Sequence, residues 1–128
     1  MRIPLLLMAA AFAATTVPAQ AADIRPFTAA TFQAAQAHNS PAVLFVHASW
    51  CPICRAQEET IKALLKTAKY KNVQVLRIDF DTEKSVWSKF GVTRQSTLIG
   101  YHGRRETGRL EYQTDPAKVE SVLASTLR

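Results

Sequence analysis

The sequence predicts an α/β domain in which a central mixed β-sheet carries helices on both faces. Three observations lead there. Two short apolar runs, Ala42–His47 and Val73–Phe80, are separated by one long amphipathic helical pattern, and a single crossover of that kind makes the two strands parallel. Two later strand-like runs flank a glycine-containing turn and add antiparallel pairing. The first run is near-continuously apolar, so it needs cover on both faces of the sheet.

The elements follow in order. Residues 1–21 read as a secretory signal: Arg2, an apolar run Leu5–Ala14, then Ala19-Gln20-Ala21 as a cleavage pattern. The run is too short to span a bilayer. Cleavage after Ala21 leaves residues 22–128 as one domain and places it, by the compact Ala-rich signal, in a bacterial periplasm. Ile24–Phe27 is a short strand or extended lead-in. Thr28–His38 is a helix with Phe32 and Ala35 on one face, broken by Asn39-Ser40-Pro41.

Ala42–His47 is the first buried strand. The helix after Cys51 repeats Ile61, Leu64, Leu65 and Ala68 at i, i+3, i+4 and i+7, with Lys62, Lys66 and Lys69 on the other side. Asn72 closes it. Val73–Phe80 is the second buried strand, and Asp81-Thr82 are expected to cap a short helix whose Trp87 and Phe90 face the core. Gly91 ends that helix. Thr97–Tyr101 and Thr107–Tyr112 form a hairpin around His102-Gly103-Arg104-Arg105. Asp115 caps a last helix with Pro116 in its first position and Val119, Val122, Leu123 and Thr126/Leu127 in its buried stripe.

Composition narrows the function. The 128 residues are 48% hydrophobic and 20% charged, which excludes disorder and leaves room for one core. The formal charge is +6, but the basic residues are scattered and no aromatics interleave with them, so the surface is a solvated basic one and no nucleic-acid partner is expected. Cys51 and Cys54 are the only cysteines. They exclude a four-cysteine zinc site, a cysteine-ligated iron–sulfur cluster within one chain and a multi-bridge scaffold. One dithiol remains.

Its position gives it a chemical reading. Cys51 follows a buried strand and opens a helix, so its sulfur faces unpaired N–H groups and the positive end of the helix dipole. Both stabilise a thiolate. Pro52 sits where its missing N–H costs nothing. Cys54, three residues on, lies beside Cys51 and deeper. The first thiolate attacks a disulfide and the second resolves the mixed disulfide. Trp50 shields one side of the pair and offers substrate an apolar contact.

Competing readings are weaker. A c-type haem site needs a histidine where Arg55 stands. Zinc would need His38, His47 or His102 to converge on the pair. A purely structural bridge would close a loop too small to stabilise much. No metal or cofactor is therefore expected. Arg55 either supports a thiolate or is simply solvated, His47 either packs at its strand end or tunes Cys51, and His102 is exposed in the hairpin.

The run Val43–Cys54, ending Trp50-Cys51-Pro52-Ile53-Cys54, resembles the strand, Trp-Cys-x-x-Cys motif and helix of the thioredoxin superfamily. Phe90–Ile99 and the His102-Gly103 turn resemble its later segments. The resemblance covers most of residues 25–127 and implies the thioredoxin fold, with Cys51 as nucleophile, Cys54 as resolving thiol, and Trp50, Pro52, Ile53, Gln95, Ser96 and Thr97 shaping the substrate site.

Three departures stand out. The family's cis-proline falls on Ser96, so the Gln95–Ser96 bond is expected to be trans, with the serine hydroxyl near the sulfurs. The family's buried acid falls on Phe45, which leaves Glu58 or a water as base for Cys54. The lysine that accompanies that acid falls on Arg77, expected to reach solvent or to pair with Asp79 or Asp81.

The dipeptide Pro52-Ile53 resembles glutaredoxins and the oxidant DsbA in its proline, but Ile53 cannot support a thiolate as the DsbA histidine does. The resemblance thus implies a monomeric disulfide reductase acting on disulfide-bearing proteins and recharged by a membrane electron donor. A redox-inert binding or chaperone module, and delivery of a soft metal such as copper(I) by the thiolates, are the alternatives.

Overall fold

The computed structural model describes residue 13 and residues 23–128; the signal segment, residue 13 aside, lies outside them. The order is β1 (Ile24–Pro26), α1 (Ala29–Ala37), β2 (Pro41–His47), α2 (Pro52–Leu65), β3 (Gln74–Asp79), α3 (Lys84–Trp87) with a 3-10 turn Ser88–Phe90, β4 (Thr97–His102), β5 (Arg105–Glu111) and α4 (Pro116–Ser125). One five-stranded sheet runs β1-β3-β2-β4-β5. β1 and β2 both pair with β3 in parallel, and β4 is antiparallel to β2 and β5, so the sheet is mixed as the sequence predicts.

The period-2 geometry of a strand sorts β2 into two cores. Val43 and Phe45 pack with Val75, Leu98 and Leu110 under Ile61 and Leu65 of α2 and Val119, Val122 and Leu123 of α4. Leu44 and Val46 face the other way, onto Leu76, Ile78, Ile99 and Tyr101, covered by Phe32 of α1 and Trp87 of α3. Every residue of β2 from Ala42 to Val46 is buried. The C-terminal end of this buried central strand leads directly to the cysteines.

Some local expectations need correcting. The long helix stops at Leu65, and Ala68 is exposed. The Thr67 hydroxyl donates back to the Leu64 carbonyl at 2.6 Å, a local bond that competes with helix continuation. Tyr70 fills the core instead, its hydroxyl donating to Glu120 of α4 at 2.8 Å.

Asp81-Thr82 do not cap α3. The Asp79 carboxylate accepts from both of their backbone N–H groups, at 2.8 and 3.3 Å, and the N-cap position falls on Glu83, whose carboxylate accepts from Asp79 N–H at 2.6 Å and does not cap the helix. Gly91 closes the turn with φ 68°, and Asp115 caps α4 by accepting from Ala117 N–H at 3.0 Å, both as expected. Leu127, assigned above to the buried stripe, is exposed, whereas Thr126 is buried. Among the described residues no helix is long and apolar enough to cross a membrane.

Candidate active site

β2 ends at His47, and the chain turns through Ala48–Trp50 into α2. Cys51 is the N-cap of that helix, with an extended backbone, and its sulfur accepts from the Cys54 N–H at 3.2 Å. The thiol thus takes the role usually filled by a serine or aspartate oxygen. Pro52 occupies the first helical turn. Both cysteines are buried free thiols.

Ser96 completes the site. Its hydroxyl oxygen lies 3.2 Å from Cys51 Sγ and 3.0 Å from Cys54 Sγ. The Gln95–Ser96 bond is trans, because no cis peptide occurs among the described residues. The chain makes the turn instead with Ser96 in the left-handed region, φ 60°. That conformation costs a non-glycine residue about 1–2 kcal/mol, and three bonds hold it. Ser96 N–H donates to the Val46 carbonyl at 2.8 Å, and its own carbonyl accepts from Tyr112 N–H at 2.9 Å and from Gln57 Nε2 at 3.1 Å.

The two thiols are unequal. Burial pushes the Cys51 thiol up, but hydrogen bonds from Cys54, from Ser96 and from the backbone outweigh it and set the net shift downward. Burial also pushes Cys54 up, its hydrogen bond to Cys51 adds to that, and the net shift is upward. Of the two, Cys51 is the more readily ionised thiol and Cys54 the one that holds its proton longer.

The other residues expected at the site are placed as follows. Trp50 is 57% exposed beside the pair, its indole N–H donating to the Asp81 carboxylate at 2.9 Å. Ile53 is half-buried against the core under α2. Gln95 is half-buried in the loop, and Thr97 is buried in β4 with its hydroxyl donating to the Arg94 carbonyl at 2.8 Å. Arg55 is exposed and makes no hydrogen bond to either sulfur.

Glu58 and Arg77 correct the sequence reading. Glu58 does not hydrogen-bond Cys54; it anchors a charge cluster with His47 at 3.4 Å, Lys62 at 3.4 Å and Arg77 at 3.8 Å. Arg77 reaches solvent, one of its two expected placements, and its partner is Glu58 rather than Asp79 or Asp81. His47 is held below its ordinary pKa by burial, with Glu58 opposing. His102 is half-buried rather than exposed, its Nδ1 2.8 Å from the Thr126 carbonyl oxygen.

Gln57 is the residue that sequence reasoning missed. It is fully buried and donates to the Ser96 and Gln113 carbonyls. Its signal was legible: it shares the stripe Cys54, Gln57, Ile61, Leu65 at helical spacing, a polar residue in a buried row. Tyr112 was missed too. It borders the Ser96 loop, 42% exposed, with the Arg94 guanidinium 3.5 Å over its ring.

The thioredoxin family model matches residues 23–125. The chain belongs to the thioredoxin family. A thioredoxin from Alicyclobacillus acidocaldarius is 28% identical over 101 residues, 79% of this chain and 95% of the relative. A probable protein disulfide-isomerase A6 from Medicago sativa is 32% identical over 89 residues, which span 69% of this chain but only 24% of that protein.

The chain thus covers about a quarter of the length of the disulfide-isomerase relatives it matches. Among solved structures, Trxlp from Edwardsiella tarda superposes with a TM-score of 0.74 at 34% identity, covering 78% of this chain and 98% of that one. The fold is the thioredoxin fold, and the cysteine pair at the start of α2 is that of a thioredoxin-like disulfide oxidoreductase family.

Proposed function

We propose that this protein is a periplasmic thiol–disulfide reductase whose working couple is Cys51–Cys54. The observation that carries the reading is the inequality of the two thiols: a helix-capping Cys51 shifted toward thiolate and a Cys54 shifted toward thiol, bridged by Ser96. The Cys51 thiolate attacks one sulfur of a substrate disulfide, forming a mixed disulfide and releasing a substrate thiolate. Cys54 then attacks Cys51 Sγ and releases the second substrate thiol. Two electrons and two protons pass to substrate, and the couple is left as a disulfide that a membrane donor must reduce.

The reducing direction is supported by Ile53 between the cysteines, which offers no charge to hold the thiolate further down. Exported disulfide-bearing proteins are the substrate class. The signal-like residues 1–21 support the periplasmic placement. Exposed Trp50, next to Cys51 in the chain, supplies apolar contact for a polypeptide substrate.

Titration of the couple against glutathione or dithiothreitol buffers tests the direction. A potential near thioredoxin's, about −270 mV, is expected; one near DsbA's, about −120 mV, would make the protein an oxidant. A pair that never exchanges would leave a binding module in its place.

A further inference from the structure

We propose that the Ser96 hydroxyl is the proton carrier of the resolving step, a catalytic role that rests on the exchange reaction proposed above. Its oxygen is 3.0 Å from Cys54 Sγ and 3.2 Å from Cys51 Sγ, and the residue is fully buried. A hydroxyl has one proton to give and lone pairs to receive another. Within hydrogen-bond reach of both sulfurs, it can donate to one and accept from the other, and once Cys51 carries substrate its lone pairs remain in reach of the Cys54 S–H.

The resolving step needs such a group. Cys54 must lose its proton before it can attack, yet burial favours its protonated form. Among the described residues no carboxylate or imidazole hydrogen-bonds either sulfur. Glu58, on the same helix, is occupied by His47, Lys62 and Arg77. Phe45, in the core beneath the cysteines, offers no base. Ser96 is the side chain in position, and its strained backbone is clamped by Val46, Gln57 and Tyr112 so that the hydroxyl stays between the sulfurs.

The step balances as follows. Cys54 Sγ bonds to Cys51 Sγ while the bond from Cys51 Sγ to the substrate sulfur breaks, its electron pair leaving with the substrate. The Cys54 proton moves to Ser96 Oγ, and the Ser96 proton moves to the departing sulfur. The hydroxyl is regenerated and nothing else is consumed.

Stopped-flow resolution of mixed disulfides on Cys51 tests this, using one aliphatic and one aromatic leaving thiol. An aliphatic thiolate is a strong base that must be protonated as it leaves, whereas an aromatic one leaves without a proton. Ser96→Ala and Ser96→Gly both lack the hydroxyl, and glycine also suits φ 60°, so a folding defect in the first does not compromise the second. Both variants should slow release of the aliphatic thiol about tenfold or more, and of the aromatic thiol much less. Equal slowing of the two thiols, or native rates for both, would overturn the proposal. Native protein that forms no mixed disulfide at all would overturn the exchange reading instead.

Discussion

Gln57 Nε2 donates to the Ser96 carbonyl at 3.1 Å, and through this bond α2 holds the loop that presents the serine hydroxyl to the sulfurs. The same amide donates to the Gln113 carbonyl at 2.9 Å, so one buried side chain ties together the helix, the Ser96 loop and the segment after β5. Gln57→Met keeps the volume but removes both donors. It should destabilise the protein by about 1–2 kcal/mol, the net worth of the two lost hydrogen bonds, because the Ser96 carbonyl keeps its bond from Tyr112 N–H and Gln113 is exposed to solvent. Urea denaturation measures it, and a loss below about 0.5 kcal/mol would mean that the clamp contributes little.

Alkylation of the reduced protein across pH should distinguish the thiols. Cys51 is shifted down and Cys54 up, so Cys51 should label with a midpoint at lower pH than Cys54 and take up nearly all of the reagent in its rising range. Ser96→Ala removes one of the bonds that lower Cys51 and should move the midpoint upward. Peptide mapping by mass spectrometry identifies the labelled cysteine.

His47 predicts a pH dependence of stability. Burial lowers its folded pKa beneath the ordinary 6.5, with Glu58 opposing, so the unfolded chain takes up the proton first as pH falls. The contribution to stability is present above about pH 6.5 and is lost as pH drops through the folded value. Thermal melts from pH 7 to pH 5 should show a steeper loss for the native protein than for His47→Gln. Parallel curves would contradict this.

The fold was legible because its signals are local. The unbroken apolar run of β2, the strand-to-helix junction at Cys51 and the Asp115-Pro116 start of α4 each specify an element within a few residues, and the structure has all three. The contacts that complete the site are not local. Gln57 meets Ser96 across 39 positions, and Trp50 meets Asp81 across 31. Asp81 looked like a helix cap because aspartate favours that role; the nearby Asp79 carboxylate took the turn's N–H groups and left Asp81 for the indole. Ser96 could be aligned with the substrate loop from sequence, but its left-handed backbone and double contact with the sulfurs emerge only from packing.

Gly100 of β4 leaves no room for a side chain between β5 and α4. A Cβ there would meet Thr107 Oγ1 at 2.8 Å and Ser125 Oγ at 3.0 Å, two hydroxyls that are bonded to each other at 2.8 Å. Gly100→Ala must separate them, and overpacking of this kind costs about 1–3 kcal/mol. A lowered melting temperature with an unchanged Cys51 labelling profile is the expected result, because the strain falls at the end of β4 away from the sulfurs.

The central claim is that Cys51 attacks and Cys54 resolves. Cys54→Ser removes the resolving thiol and should arrest the reaction at a mixed disulfide. Incubated with a disulfide-bearing protein and analysed by mass spectrometry, this variant should accumulate the substrate covalently joined to Cys51, while Cys51→Ser accumulates none. An adduct on Cys54 in Cys51→Ser, formed as fast as the one on Cys51, would contradict the assignment.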